Sequence, residues 1–281
     1  MRPLALIVLV ALVTTLAPAV AAAQNPAPPP AADDADRDPN PAQPDFTVVN
    51  LPTTLRLPRF KSAFRVTHRF TRPLGQGDFG DLADDLFGLD NGALIGLEYR
   101  FGVMSGLQAG ILRTNLDKTI EFFGQYNVLN QRSGAAVGLG VIGSVEGINN
   151  FRDSYSPSLG VAISREFGDH ATVYLEPIWV NNANPSPSDL TDEDNDTFLI
   201  AFGARARIRP TVYLVGEFNG RAAGYSPGTH QGSFAIEKRA GGHVFQLNFS
   251  NGFGNTMGQV ARGGTSSEDW YLGFNISRKF F

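Results

Sequence analysis

Apolar and polar residues alternate in about twelve segments between Lys61 and the C-terminus. In one of them, Phe245 and Leu247 alternate with Gln246 and Asn248. Side chains along a β-strand point to opposite faces in turn, so each such segment predicts a strand with one apolar face and one polar face. The predicted strands are residues 62–72, 92–102, 106–115, 118–130, 134–146, 156–167, 170–180, 197–208, 211–221, 232–240, 243–250 and 269–281.

The last segment shows this alternation most clearly and ends in an aromatic residue. Its apolar face consists of Trp270, Leu272, Phe274, Ile276 and Phe280. A terminal strand of this kind looks like the closing strand of a bacterial outer-membrane β-barrel. The apolar series here is in phase with Phe280, whereas in such barrels it usually runs in phase with the final residue. We therefore predict a barrel in which this strand closes the ring.

A soluble β-sandwich also alternates, and the residues of the polar face distinguish the two folds. That face is rich in Arg and Glu, has almost no Lys, and balances both signs of charge. This composition suits a confined lumen where opposite charges pair with each other. The predicted lumen-lining residues are Arg65, Arg69, Glu98, Arg100, Glu121, Glu166, Glu176, Arg205, Arg207, Glu217, Glu237 and Arg239.

The connectors between the predicted strands alternate in length. The second, fourth, sixth, eighth and tenth are tiny, whereas five of the six others are long and only 116–117 is short. Outer-membrane barrels have short periplasmic turns and long extracellular loops. We predict an all-β protein, an antiparallel transmembrane β-barrel of about twelve strands at residues 61–281.

The N-terminal residues predict export. Arg2 precedes an apolar run from Leu4 to Leu16, and an A-x-A cleavage site follows at residues 21–23. The run is short for a membrane-spanning helix, so residues 1–23 are predicted to be a signal peptide, with an uncleaved anchor as the alternative. Residues 24–60 are rich in Pro, Ala and Asp at their start, which predicts a disordered or extended periplasmic segment.

Composition excludes several classes of function. The chain has no Cys, which excludes cysteine-ligated metals, thiol catalysis and covalent c-type haem attachment. The net charge of −4 suggests no nucleic-acid partner. No run after the signal peptide approaches the length of a membrane-spanning helix, and a membrane protein without such helices must be a closed barrel.

The connector 75–91 has the spacing of a short amphipathic helix after the first strand. Acidic residues cover its polar side and favour a helix N-terminus there. One hypothesis is that this helix enters the lumen and plugs the barrel. The alternative is a helix that caps the outer rim. The residues of the hypothetical plug are Asp78, Phe79, Leu82, Leu86 and Phe87.

Other residues that could carry chemistry favour no active or metal site. The acidic run 192–196 begins like a calcium loop, but Thr197 stands where Gly is required, so we interpret it as a solvated outer loop that can bridge divalent ions to lipopolysaccharide. A membrane-embedded hydrolase needs Ser, His and Asn or Asp together, and no G-x-S-x-G motif is present. We predict no catalytic residue, no metal and no cofactor. Structural roles, rather than haem ligation, are predicted for His68, His170, His230 and His243.

Several motifs resemble one bacterial family. They lie at residues 51–58, 63–70, 77–82, 85–90, 122–126 and 242–247. Together they are similar to a β-barrel family known only as a domain of unknown function, and the resemblance runs from about Asn50 to the C-terminus. It implies a barrel in the outer membrane of a Gram-negative bacterium. It supplies no substrate, activity or functional residue.

We therefore expect a narrow or plugged outer-membrane channel for small polar solutes, whose charge selectivity is set by the Arg and Glu rows. A non-conducting structural or ligand-binding barrel is the first alternative, and a lipid-active membrane enzyme is the second. The expected partners are outer-membrane lipid, lipopolysaccharide, the barrel-assembly machinery and a small polar solute.

Overall fold

The computed structural model describes residues 40–184, 195–224 and 229–280, so the predicted signal peptide lies outside the described residues. Twelve strands form one closed antiparallel barrel, in which each strand pairs with its neighbours in sequence and the first pairs with the last. The strands are β1 Ser62–Pro73, β2 Ala93–Met104, β3 Leu107–Thr114, β4 Ile120–Leu129, β5 Gly138–Gly147, β6 Asp153–Phe167, β7 Ala171–Val180, β8 Thr197–Arg209, β9 Val212–Gly224, β10 Gln231–Ala240, β11 His243–Ser250 and β12 Tyr271–Phe280.

Apolar side chains cover the outside of the barrel and polar side chains face its interior. In β2, Leu97 and Tyr99 are exposed on the outer wall, whereas Glu98 and Arg100 are buried. A soluble sandwich buries its apolar face, and this barrel does the reverse, as a wall that contacts lipid requires. The predicted transmembrane β-barrel is therefore confirmed.

The connectors at one end of the barrel are short with one exception, and those at the other end have five or more residues each. One end carries 105–106, 130–137, 168–170, 210–211 and 241–242, and the other carries 74–92, 115–119, 148–152, 181–196, 225–230 and 251–270. We assign the first end to the periplasmic side, because periplasmic turns in outer-membrane barrels are typically shorter than extracellular loops. The prediction was wrong for 130–137, because β5 begins four residues later than expected and a 3₁₀ turn, Gln131–Ser133, precedes it.

The helices of the described residues are all short, and none is long and apolar enough to cross a membrane. The helix predicted after the first strand is present as α1, where Asp78 caps the N-terminus and forms a capping box with Asp81. The helices are α1 Phe79–Asp84, α2 Ile148–Phe151 and α3 Met257–Arg262, with 3₁₀ turns at Leu86–Asn91, Leu116–Lys118 and Gln131–Ser133.

Residues 40–57, here called the hairpin insert, lie inside the barrel. Nearly all of them are buried, and the chain reverses at a tight turn where Val48 N donates to Leu51 O at 2.7 Å and Thr53 N donates to Phe46 O at 2.8 Å. The prediction of a disordered or extended periplasmic segment is therefore wrong for these residues. On its own the segment has too little apolar surface to fold, but the barrel wall supplies that surface and the hydrogen-bond partners.

The main apolar core of the molecule lies within the lumen. Val48, Val49 and Leu51 of the hairpin insert pack against buried apolar side chains of β7 to β10 and against Val260 and Ala261 of α3. The opposite wall, β1 to β5 with β11 and β12, is mainly polar. The wall residues of this core are Tyr174, Ile178, Val180, Leu199, Ala201, Tyr213, Val215 and Ala235.

Candidate pore and its two inserts

The structure places most of the predicted lumen-lining residues inside the barrel. Glu166 lies at the periplasmic mouth with 10% of its side chain exposed. Arg207 instead lies at the periplasmic rim, where its Nε donates to Pro210 O at 3.0 Å. The predicted lumen residues that are buried are Arg65, Arg69, Glu98, Arg100, Glu121, Glu176, Arg205, Glu217, Glu237 and Arg239.

Some of these buried charges form ion pairs with one another on the inner face of the wall. Arg205 lies 3.0 Å from Glu237, and both side chains are fully buried. Glu98 accepts from Arg100 at 2.9 Å and lies 3.6 Å from Arg65. Pairing of this kind reduces the cost of removing charges from water, which explains how a narrow lumen accommodates them.

The tip of the hairpin insert is held by Glu217 of β9. One carboxylate oxygen accepts hydrogen bonds from three consecutive backbone N–H groups, those of Val49 and Asn50 at 2.8 Å and of Leu51 at 3.0 Å. The other oxygen accepts from the side-chain amides of Asn50 and Asn219, each at 3.1 Å. Hydrogen bonds to an ionised carboxylate are stronger than neutral ones, so this contact fixes the tip in position.

Cationic and amide side chains hold the carbonyl groups of the same segment. Arg65 of β1 and Asn275 of β12 both donate to Val49 O. Arg205 of β8 donates to Thr47 O at 2.8 Å. The hairpin insert is therefore bound from different sides of the barrel, and wall side chains satisfy its backbone carbonyl groups, which are not paired in the sheet.

Both ends of the hairpin insert lie at the periplasmic mouth. At its start, Asn40 and Gln43 donate to Glu166 at 3.0 and 2.5 Å. Beyond its end, Phe60 N donates to Gly102 O at 2.7 Å. A Cβ at Gly102 would lie 2.1 Å from Pro58 O, so the chain leaves the lumen in close contact with the wall. The insert thus enters and leaves at the same end.

A second insert enters the lumen from the opposite end. This outer insert, residues 251–266, contains α3, whose middle residues are buried. Glu146 of β5 accepts from Thr256 Oγ1, from Gly258 N at 3.1 Å and from Arg262 at 2.7 Å. Gln259 donates to Thr114 Oγ1 at 2.9 Å. Glu146 is a buried lumen residue that is absent from the set predicted from sequence.

Little space remains between the two inserts. A cavity of about 40 Å³ lies between the hairpin tip, the outer insert and the wall of β1 to β5. A buried water needs about 10–15 Å³ by this measure, so the cavity holds only a few water molecules. Charged side chains on its wall are Arg65, Glu98, Arg100 and Glu121.

The hypothesis that the helix after the first strand plugs the lumen is wrong. No residue of α1 is buried, and Phe79, Leu86 and Phe87 are 74%, 56% and 38% exposed. The connector is fixed to the outer rim by an ion pair between Arg72 and Asp85 at 2.7 Å. The amphipathic pattern predicted the helix correctly. The helix lies at the outer rim, and the two inserts occupy the lumen.

The other candidate residues contact neighbouring side chains of the barrel. His68 stacks on Phe274 at 4.8 Å between ring centres, on the outer wall. Residues 192–194 of the acidic run lie outside the described residues, and Asp196 accepts from Asn181 at 2.5 Å and from Trp179 at 3.3 Å. Within the described residues, no group of three or more His, Asp or Glu side chains could hold a metal ion.

A closed ring of twelve antiparallel strands, apolar outside and charged inside, defines a porin-like transmembrane β-barrel. The chain belongs to the family described as a membrane-bound β-barrel domain (DUF5777), whose model matches residues 45–280. The matched span includes the tip of the hairpin insert. The family and the porin-like fold together support an outer-membrane location.

Solved porins share the fold at low sequence identity. The structure titled "KdgM porin" is 8% identical with a TM-score of 0.51, over 79% of this chain and 99% of that one. A second structure, "KdgM porin in complex with disordered oligogalacturonate", is 8% identical with a TM-score of 0.50 over the same shares. A search of curated proteins found no match to this sequence. The likeness to the solved porins concerns the fold alone.

Proposed function

We propose that this protein is an outer-membrane channel for small polar solutes, closed at rest by the hairpin insert and opened when that insert leaves the lumen. The observation that carries the proposal is the path of the insert, which enters and leaves at the periplasmic mouth. It can therefore withdraw without unpairing a strand of the barrel. The ladder from β1 to β12 does not depend on it for backbone hydrogen bonds.

The chemistry of the wall supports an opening of this kind. Much of the surface that the hairpin insert covers carries Arg, Glu, Asn and Gln side chains, including Arg65, Glu217, Gln246 and Asn275. Water can solvate these groups once the insert is gone. Buried polar groups that lose their partners without gaining water cost about 1–3 kcal/mol each, so a hydrated open state is far less costly than a dry empty one.

The Arg and Glu residues of the wall give the open lumen its selectivity for small polar solutes. The apolar outer surface contacts outer-membrane lipid, and the outer connectors contact lipopolysaccharide. The barrel-assembly machinery inserts the chain. A role without catalysis accords with the family and the fold.

Conductance tests the proposal directly. The mature chain and a variant lacking residues 40–57 are refolded and recorded as single channels in planar bilayers. We expect rare or small openings for the mature chain and steady, larger openings for the variant. Heat-modifiable migration in gels verifies that each barrel is folded. A folded variant that stays silent contradicts the proposal.

A barrel that never conducts is the second candidate, and the apolar core of the lumen favours it. Val48, Val49 and Leu51 bury their side chains against β7 to β10, which opposes withdrawal of the insert. The same recordings separate the candidates, because a permanently closed barrel stays silent in the mature chain under every voltage and solute condition.

A further inference from the structure

Two buried charges of opposite sign face each other across the hairpin tip without an ion pair. Arg69 of β1 is fully buried. Its guanidinium donates to three uncharged oxygen atoms: the backbone oxygen of His68 at 3.1 Å, Asn275 Oδ1 at 2.8 Å and Asn50 Oδ1 at 3.0 Å. Glu217 accepts only from neutral N–H groups. Within the described residues neither side chain is within ion-pair distance of an opposite charge.

The side chain of Asn50 lies between these two charges. Its amide nitrogen donates to Glu217 Oε1 at 3.1 Å, and its carbonyl oxygen accepts from Arg69 at 3.0 Å. One small group therefore presents a donor to the carboxylate and an acceptor to the guanidinium. The neighbouring backbone repeats the arrangement, since Val49 N donates to Glu217 and Val49 O accepts from Arg65.

We infer that, once the hairpin insert withdraws, Glu217, Arg69 and Arg65 form a binding site for a small zwitterionic solute of the α-amino-acid type. The ammonium group lies against Glu217 and the carboxylate against Arg69 and Arg65, in the places that Asn50 and Val49 hold at rest. The inference rests on the proposed channel function and names the class of solute. The hairpin tip then acts as an internal competitor for this site.

Charge is the basis of the selectivity. Withdrawal of the tip takes hydrogen-bond partners away from Glu217, Arg69 and Arg65, while Asn219, Asn275 and Glu98 stay in contact with them. Charges that lose partners in a narrow lumen gain most from a ligand that satisfies both signs. A zwitterion does so with one small molecule. Acetate or methylammonium satisfies one side only, and glucose offers no charge to either. Asn219 still donates to Glu217 and Asn275 still accepts from Arg69, so both hold the charged groups of the site in place.

The test uses the variant lacking residues 40–57 in planar bilayers, with L-alanine as the probe. We expect L-alanine to interrupt the current, with an affinity at least roughly tenfold above that of acetate, methylammonium or glucose. Glu217→Gln and Arg69→Gln in the same background should each weaken the L-alanine effect about tenfold. Glu268→Gln, in the exposed part of the last outer connector, is the matched control and should leave it unchanged.

The outcomes distinguish the two proposals. Steady current with no preference for L-alanine overturns the zwitterion site and leaves the channel standing. A folded but silent barrel overturns the channel proposal. Calorimetric titration of the same barrel with L-alanine then tests the binding site, and a titration without heat of binding overturns it.

A second variant covers failure of the deletion to fold. Asn50→Ala in the full mature chain removes only the bridging amide. L-alanine should then accelerate trypsin cleavage after Arg56 several-fold, because it occupies the site and holds the insert out, whereas glucose should not. Equal cleavage rates with the two solutes overturn the inference.

Discussion

The two inserts fill one lumen but are held in different ways. The hairpin insert is hydrogen-bonded to side chains on several strands: Arg65, Arg205 and Asn275 donate to its carbonyl groups, and Glu217 accepts from its N–H groups. The outer insert concentrates three contacts on one side chain, since Glu146 binds both ends of α3, in addition to the hydrogen bonds from Met257 N to Glu121 and from Gln259 to Thr114. A distributed attachment survives the loss of one contact, whereas a focal attachment does not. Substitutions at the two attachments test this difference.

The largest effect is expected for Arg205→Ala. The substitution leaves Glu237 buried without its ion pair and removes the donor to Thr47 O, which costs about 3–5 kcal/mol in the free energy of unfolding. Urea titration of the refolded barrel measures this loss. Because the other wall contacts persist, the hairpin insert stays in the lumen and trypsin cleavage after Arg56 rises only modestly. Complete release of the insert by this single change would contradict a distributed attachment.

The paired replacement Arg205→Leu with Glu237→Leu is the control for that measurement. Removing both charges leaves no uncompensated group, so the double variant should be more stable than Arg205→Ala alone. A double variant that is less stable than Arg205→Ala would show that the loss of stability comes from the hydrogen bonds of Arg205 to carbonyl groups rather than from the unpaired charge of Glu237.

A smaller loss, about 2–3 kcal/mol, is expected for Glu146→Ala. It removes the acceptor for Thr256, Gly258 and Arg262 together, so the outer insert leaves the lumen although the barrel is less perturbed than by Arg205→Ala. Trypsin added on the outer side of proteoliposomes should then cleave after Arg262. Unchanged protection at that position would show that the apolar contacts of α3 are sufficient.

Gly258→Ala is expected to cost about 1–3 kcal/mol, because it overpacks the same contact. A Cβ at this position would lie 2.4 Å from the Glu146 carboxylate. Gly216→Ala is the matched control, since a Cβ there meets nothing within 4 Å. Urea titration of both variants isolates the steric cost, and equal stabilities would mean that α3 shifts to accommodate the methyl group.

The smallest effect on the lumen is expected from α1. Asp78→Ala removes the N-cap and the capping box, which loosens the helix locally. Because α1 lies exposed at the outer rim, single-channel conductance in the background lacking residues 40–57 should not change. A larger conductance or more frequent openings in the Asp78→Ala variant would indicate that α1 does obstruct the lumen.

The barrel could be predicted from sequence because its wall repeats one simple rule along each strand. Residues such as Glu98 and Leu97 differ in polarity at adjacent positions, and alternation alone assigns them to opposite faces. Lumen residues followed from the same phase. Arg207 is misplaced only because phase gives the face of a strand and not the height of the residue along the pore.

The inserts could not be predicted by the same means. The proline-rich sequence around Val48 and Leu51 indicates no core of its own, and its partners Glu217 and Arg65 are distant in the chain. The helical pattern around Phe79 predicts a helix with an apolar face, but it does not indicate which part of the protein that face contacts. The apolar residues between positions 46 and 57 were the one available signal, since a fully solvated tail has no use for them.

The hairpin insert also joins the two strands that close the ring. It contacts β1 through Arg65 and Arg69, and β12 through Asn275 and Ser277, which donates to Asp45. Those strands are the most distant in the chain, so their pairing bears the greatest loop-closure entropy of assembly. The hairpin insert contacts both strands in the finished barrel, and a segment that docks on both would lower that cost during assembly. We therefore expect the segment that is proposed to close the channel to serve also as a template on which the nascent barrel completes its circle.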